Sequence, residues 1–173
     1  MGRILLAGVA AACVAGAALA QEAATPQQQV DAVVKQGVTS AKTQIEQMFA
    51  FLPFAIIVHA DGRSERMRGP TGDELDPVDA PEQEADPGRA LEELNQRVAR
   101  EAKAKGDFRV VGIFSDAEVK LPDGKQSDAI QASMEHVSGY CTDVFVPYAR
   151  VVNDLSWGDP ISSKGKGVVF SCR

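Results

Sequence analysis

The chain has 173 residues, a formal net charge of −6 and three cysteines. That length suits one ordinary domain with its own core. The acidic balance argues against nucleic acid or an anionic lipid surface as a partner, because both call for a basic face. The sequence has no internal repeat, so solenoids and propellers drop out.

Residues 1–20 have the three parts of a cleavable secretory signal peptide. Arg3 supplies the positive start, Ile4 to Gly16 is an uncharged apolar run, and Ala18-Leu19-Ala20 puts small residues at the cleavage site. A competing reading takes Ala10-Ala11-Ala12-Cys13 as a lipoprotein box. Ala10 stands where Leu is usual there, and a better cleavage site follows. No later segment reaches the roughly 18 apolar residues of a spanning helix. The expected mature protein is a single domain from Gln21 to Arg173, exported to the periplasm or beyond. Loss of Cys13 would leave Cys141 and Cys172, and in an oxidising compartment such a pair is expected to form a disulfide.

Thr25-Pro26-Gln27-Gln28 reads as a helix start, with Thr25 as N-cap, Pro26 in the first helical position and Gln28 closing a capping box. Val30, Val33, Val34, Val38, Ile45, Met48 and Phe49 then form one apolar stripe ending before Pro53, with a possible break at Gly37. Leu52 to Ala60 followed by Asp61-Gly62 predicts a strand and hairpin, with Arg63 to Arg68 as a charged return strand at an edge. Residues 69–86 carry Asp73, Glu74, Asp76, Asp79, Glu82, Glu84 and Asp86, three prolines and, after Arg68, no further basic residue. This is expected to be a solvated acidic loop; its spacing matches no EF-hand calcium loop.

A second helix begins at Asp86-Pro87, buries Leu91, Leu94, Val98 and Ala102, and ends at Gly106. Strands are expected over Phe108 to Lys120, Ala129 to Val137, Tyr140 to Tyr148 and Gly167 to Cys172, with turns at Pro122-Asp123-Gly124 and Ser138-Gly139. The order helix, hairpin, helix, meander predicts an α+β fold. Its sheet should be mainly antiparallel with about five strands, and both principal helices should pack on one face.

Pro53-Phe54-Ala55, Asp61-Gly62, Asp128-Ala129-Ile130, Glu135-His136 and Pro147-Tyr148 together resemble a recurring set of small bacterial α+β proteins of uncharacterised function, over about residues 45–150. The resemblance implies the α+β fold and carries no activity. The leader and the cysteine pair depart from the common pattern and imply an exported, stabilised version.

A two-residue turn at Ser138-Gly139 would set His136 opposite Cys141 and Met134 opposite Asp143. Cys141, His136 and Asp143 would then be neighbours, which is the nucleophile, base and orienting carboxylate of thiol catalysis. A one-residue slip of the turn would separate them. His59, Asp61 and His136 are a candidate metal set, with two imidazoles and a carboxylate. Trp157, Tyr140 and Tyr148 are candidates for anchoring a ligand or protein partner. No phosphate-binding glycine loop, serine nucleophile elbow or zinc-type cysteine spacing is present, and no cofactor is expected. The leading expectation is a non-catalytic module that binds a protein or small ligand through the sheet or the Trp157 region. The alternative is a small thiol-dependent enzyme.

Overall fold

The computed structural model describes residues 24–48, 51–69, 87–151 and 154–173. The signal-peptide reading, Cys13, Phe49 and nearly all of the acidic loop fall outside the described residues. The first helix, α1 (Pro26–Met48), starts where its cap chemistry directs. Gln28 N–H donates to Thr25 Oγ1 at 3.2 Å, and Thr25 N–H donates to Gln28 Oε1 at 2.8 Å, so the capping box is complete. The helix runs unbroken through Gly37, which is buried on the stripe with Val30, Val33, Ala41 and Ile45. Met48, by contrast, is 61% exposed.

Strands β1 (Phe54–His59) and β2 (Ser64–Arg68) form the expected hairpin, with β2 at the edge. The second helix, α2 (Pro87–Lys105), buries Ala90, Leu94 and Val98. Then follow β3 (Phe108–Lys120), β4 (Gln126–His136), β5 (Cys141–Val151), β6 (Asp154–Trp157) and β7 (Ile161–Lys164). All pairings are antiparallel. The sheet order is β2-β1-β3-β4-β5-β6, and β7 pairs with β5 beside β6.

The fold is α+β as expected, with two corrections. The sheet has seven strands rather than about five. The extra pair comes from β6 and β7, four residues each, which share the outer edge of β5: β6 pairs with Tyr148 to Val151, and β7 with Thr142 to Phe145. Strands that short carry too few residues for alternation to stand out. Residues 167–172, expected as a strand, form no ladder.

The second correction concerns the helices, which cover opposite faces of the sheet. Phe54, Ile56, Val110 and Phe114 pack with Val30, Val33 and Ile45 of α1. Ala55, Ile57, Val111 and Ile113 pack with Leu94 and Val98 of α2. Successive strand residues point to opposite faces, so β1 and the middle of β3 are buried on both sides. Their unbroken runs, Phe-Ala-Ile-Ile-Val and Val-Val-Gly-Ile-Phe, reflect this two-sided burial.

Three hairpins share one loop geometry. His59 N–H donates to Arg63 O, Leu121 N–H to Lys125 O, and His136 N–H to Tyr140 O. In each, the third loop residue is a glycine (Gly62, Gly124 and Gly139) with φ of 85°, 87° and 89°. These are three-residue loops in which a left-handed glycine closes the turn.

Candidate functional site

The Val137-Ser138-Gly139 loop decides the fate of the proposed thiol cluster. It has three residues rather than two, so β5 slips by one position relative to the expectation. Cys141 faces Glu135, Thr142 faces Met134, and Asp143 faces Ser133. His136 lies opposite Val110, in phase with Met134 and Ala132 on the α1 side. Cys141 and Asp143 point to the α2 side. The register expected from a two-residue turn is therefore corrected, and the structure does not bring His136 together with Cys141 and Asp143. Cys141 is bonded to Cys172, as expected from the cysteine count, with a Cα–Cα distance of 5.5 Å.

His136 is 5% exposed. Ser138 N–H donates to its Nδ1 at 3.0 Å, so Nδ1 is an acceptor and the Ser138 hydroxyl, at 2.8 Å, donates to it as well. Burial, with Arg109 adding repulsion, holds the His136 pKa below its ordinary value. The ring is a neutral loop brace.

His59, Asp61 and His136 also stay apart. His59 is fully buried on the α2 side, with Nδ1 2.9 Å from Asp107 Oδ2 and Nε2 3.4 Å from Glu65 Oε2. Its ring meets Phe108 edge-on at 5.3 Å. Asp61 accepts a hydrogen bond from Arg63 N–H within its own turn. Among the described residues, no group of three or more His, Cys, Asp or Glu side chains is arranged to hold a metal ion.

Of the aromatic candidates, Tyr148 and Trp157 converge, with ring centroids 5.6 Å apart and planes tilted by 50°. They meet because β6 pairs Trp157 with Tyr148 across the β5 edge. Tyr140 packs against the α1-side core at the opposite end of β5, about 25 Å away at the rise of a strand. Tyr148 is 7% exposed, and its hydroxyl donates to Asp116 Oδ1 on β3 at 2.9 Å. Burial, reinforced by that carboxylate, pushes the phenol above its ordinary range. Desolvation also raises Asp116, more than the hydrogen bond from Tyr148 lowers it. Lys42 of α1 sits over the Trp157 ring, 4.2 Å from its centroid.

Beside these rings lies an open cleft of about 620 Å³. The β3–β4 turn supplies Pro122, β5 supplies Pro147, and Trp157, Pro160 and Ile161 complete the apolar wall. Gly158 N–H donates to Pro147 O at 2.8 Å, which ties the wall together. Prolines fix their own backbone φ, which limits the freedom of this wall. Asp123 and Asp159 stand in its lining as the acids. Asp123 is committed to Lys125, whose N–H and ammonium hold its carboxyl below the usual range.

Sequence reasoning missed the roles of three residues that matter here. Asp116 holds Tyr148, and Lys42 covers one side of Trp157. Glu135 is 1% exposed, and its carboxylate accepts from Val168, Val169 and Phe170 N–H at 2.7–2.9 Å. Only Glu135 left a trace in the sequence, as an acid inside an alternating strand. No family model, curated protein or solved structure matches the chain.

Proposed function

We propose that the protein is an exported, non-catalytic binding module whose ligand enters the cleft beside Trp157. The observation that carries this reading is the cleft itself. Its volume of about 620 Å³ falls within the roughly 300–1,000 Å³ of small-molecule sites. Its wall of one indole and three prolines is rigid and apolar, with acids rather than bases in the lining. Those features favour an uncharged ligand with a flat apolar part, whether a small molecule or a side chain of a protein partner. Export is supported by the Cys141–Cys172 bond and the leader-like residues 1–20, since disulfides persist outside reducing compartments. Among the described residues, no helix is long and apolar enough to cross a membrane.

Trp157 is the only tryptophan, so fluorescence excited selectively at the indole reports on this cleft. Titration with flat apolar compounds and proline-rich peptides should give saturable quenching or a shift in emission for at least one class. Trp157→Leu should abolish its binding as followed by NMR. The reading is lost if bound ligands perturb amides elsewhere while leaving Trp157 emission and the Pro147 to Ile161 region unchanged.

A further inference from the structure

Strand β2 ends the sheet, and its outer backbone edge is unpaired among the described strands. His59 N–H donates to Arg63 O, and Gly69 N–H donates to Pro53 O. By antiparallel alternation, Arg63, Glu65, Met67 and Gly69 turn their backbone groups toward β1, while those of Ser64, Arg66 and Arg68 point outward. A groove borders this edge on each side. The one on the α1 side, about 560 Å³, is lined by Arg66, Arg68 and Phe54 with Met48 and Leu52. The one on the α2 side, about 520 Å³, is lined by Met67, Arg97 and Lys105 with Glu65 and Glu101.

The chain is acidic overall, yet no described carboxylate pairs with Arg66 or Arg68. The Arg66 guanidinium instead lies 3.9 Å from the Phe54 ring centroid. Met48 and Leu52, at 61% and 42% exposure, are two of the four exposed large hydrophobic residues described.

We propose that the outer edge of β2, unpaired among the described strands, accepts an extended acidic segment of another protein as an added strand. Main-chain hydrogen bonds to Ser64, Arg66 and Arg68 would supply affinity, and alternating side chains would supply selectivity. Acids on one side of the incoming strand meet Arg66 and Arg68, and β-branched apolar residues on the other lie beside Met67. A second copy of β2 is a poor occupant, because antiparallel pairing centred on Arg66 or Met67 would set arginine against arginine, and pairing centred on Glu65 would set glutamate against glutamate. This surface is separate from the Trp157 cleft, and either can fail without the other.

The test uses the full chain and a fluorescein-labelled peptide of alternating Glu and Val, read by anisotropy. Saturable binding is expected, weakened on the order of tenfold or more in the Arg66→Glu/Arg68→Glu variant, with circular dichroism confirming that the variant folds. A peptide N-methylated at every second amide should lose binding to the same degree, and an alternating Lys-Val peptide should not bind. The proposal is overturned by absence of saturation at millimolar peptide, or by N-methylated peptide binding as well as its parent, which would mean simple ion pairing. A chain dimer that the peptide displaces would assign the edge to a second copy and overturn it equally.

Discussion

A Cβ at Gly37 would overlap the ring of Phe114, so the missing side chain sets how closely α1 can approach β3. Gly112 does the same from the sheet, where a Cβ would come within 3.0 Å of Val33 Cγ1. In an isolated helix Gly37→Ala would gain about 1 kcal/mol from propensity. Here the methyl must displace a buried ring, at a cost of about 1–3 kcal/mol for overpacking. We expect a net loss of stability in urea titration, partly recovered when Phe114→Leu is added. A neutral or stabilised Gly37→Ala would show that the two layers separate freely. His136 offers a second test at this scale. Its pKa is depressed in the fold, so between its folded value and the unfolded value of about 6.5 the unfolded chain holds more protons. Stability should therefore fall as pH drops through that window and level off below it. The His136→Asn variant should lack this component of the pH profile, and NMR should show the His136 ring titrating below 6.5.

One short loop and one side chain organise whole elements. The three-residue loop after His136 fixes the register of β5, and therefore which face Cys141 occupies. Glu135, opposite Cys141, then receives three N–H groups from residues 168–170, in place of the strand that the sequence pattern predicts. Replacing the carboxylate by Glu135→Ala removes hydrogen bonds worth about 1.5–3 kcal/mol each when the acceptor is charged. The tail can still swing out on its disulfide and regain water. Hydrogen exchange at Val168, Val169 and Phe170 should accelerate strongly while α1 and the β3–β4 ladder keep their protection. Unchanged exchange would mean that packing of Val169 and Phe170, rather than Glu135, holds the tail. These two places also show what the sequence made legible. The capping box at Thr25, the hairpin at Asp61-Gly62 and the buried stripe of α2 depend on neighbours in the chain and could be read directly. The loop length at Ser138-Gly139 could not be, because Ser-Gly suits a two- or a three-residue loop equally, and one residue reverses every side chain of β5. The Cys–His–Asp cluster was lost on that point.

At the scale of the whole molecule, two helices sandwich a sheet only part of which is covered on both sides. The unbroken apolar runs of β1 and β3 signal that double cover, whereas β5, with Thr142, Asp143 and Ala149 among its residues, does not. Pairing of Trp157 with Tyr148 was illegible for a different reason: it depends on β5, β6 and β7 sharing one edge, which no local pattern encodes. Val169 and Phe170 of the C-terminal segment add to the α2-side core. That segment is held by Glu135, by Arg173 N–H donating to Gly139 O at 3.0 Å, and by the Cys141–Cys172 bond. The bond closes a separation of 31 residues, for which chain entropy gives about 3–4 kcal/mol. The same loop contains β6 and β7, which have their own hydrogen bonds to β5 and do not depend on sulfur. Reduction, or Cys172→Ser, should therefore lower Tm and free residues 165–173 first. Protection at Val168 to Phe170 should fall in the reduced protein, while β6, and with it Trp157 emission, should hold until the global transition. Equal protection of the tail in both redox states would mean that Glu135 and the α2-side contacts suffice. Loss of Trp157 emission together with the tail would mean that the cleft and the disulfide belong to one cooperative unit.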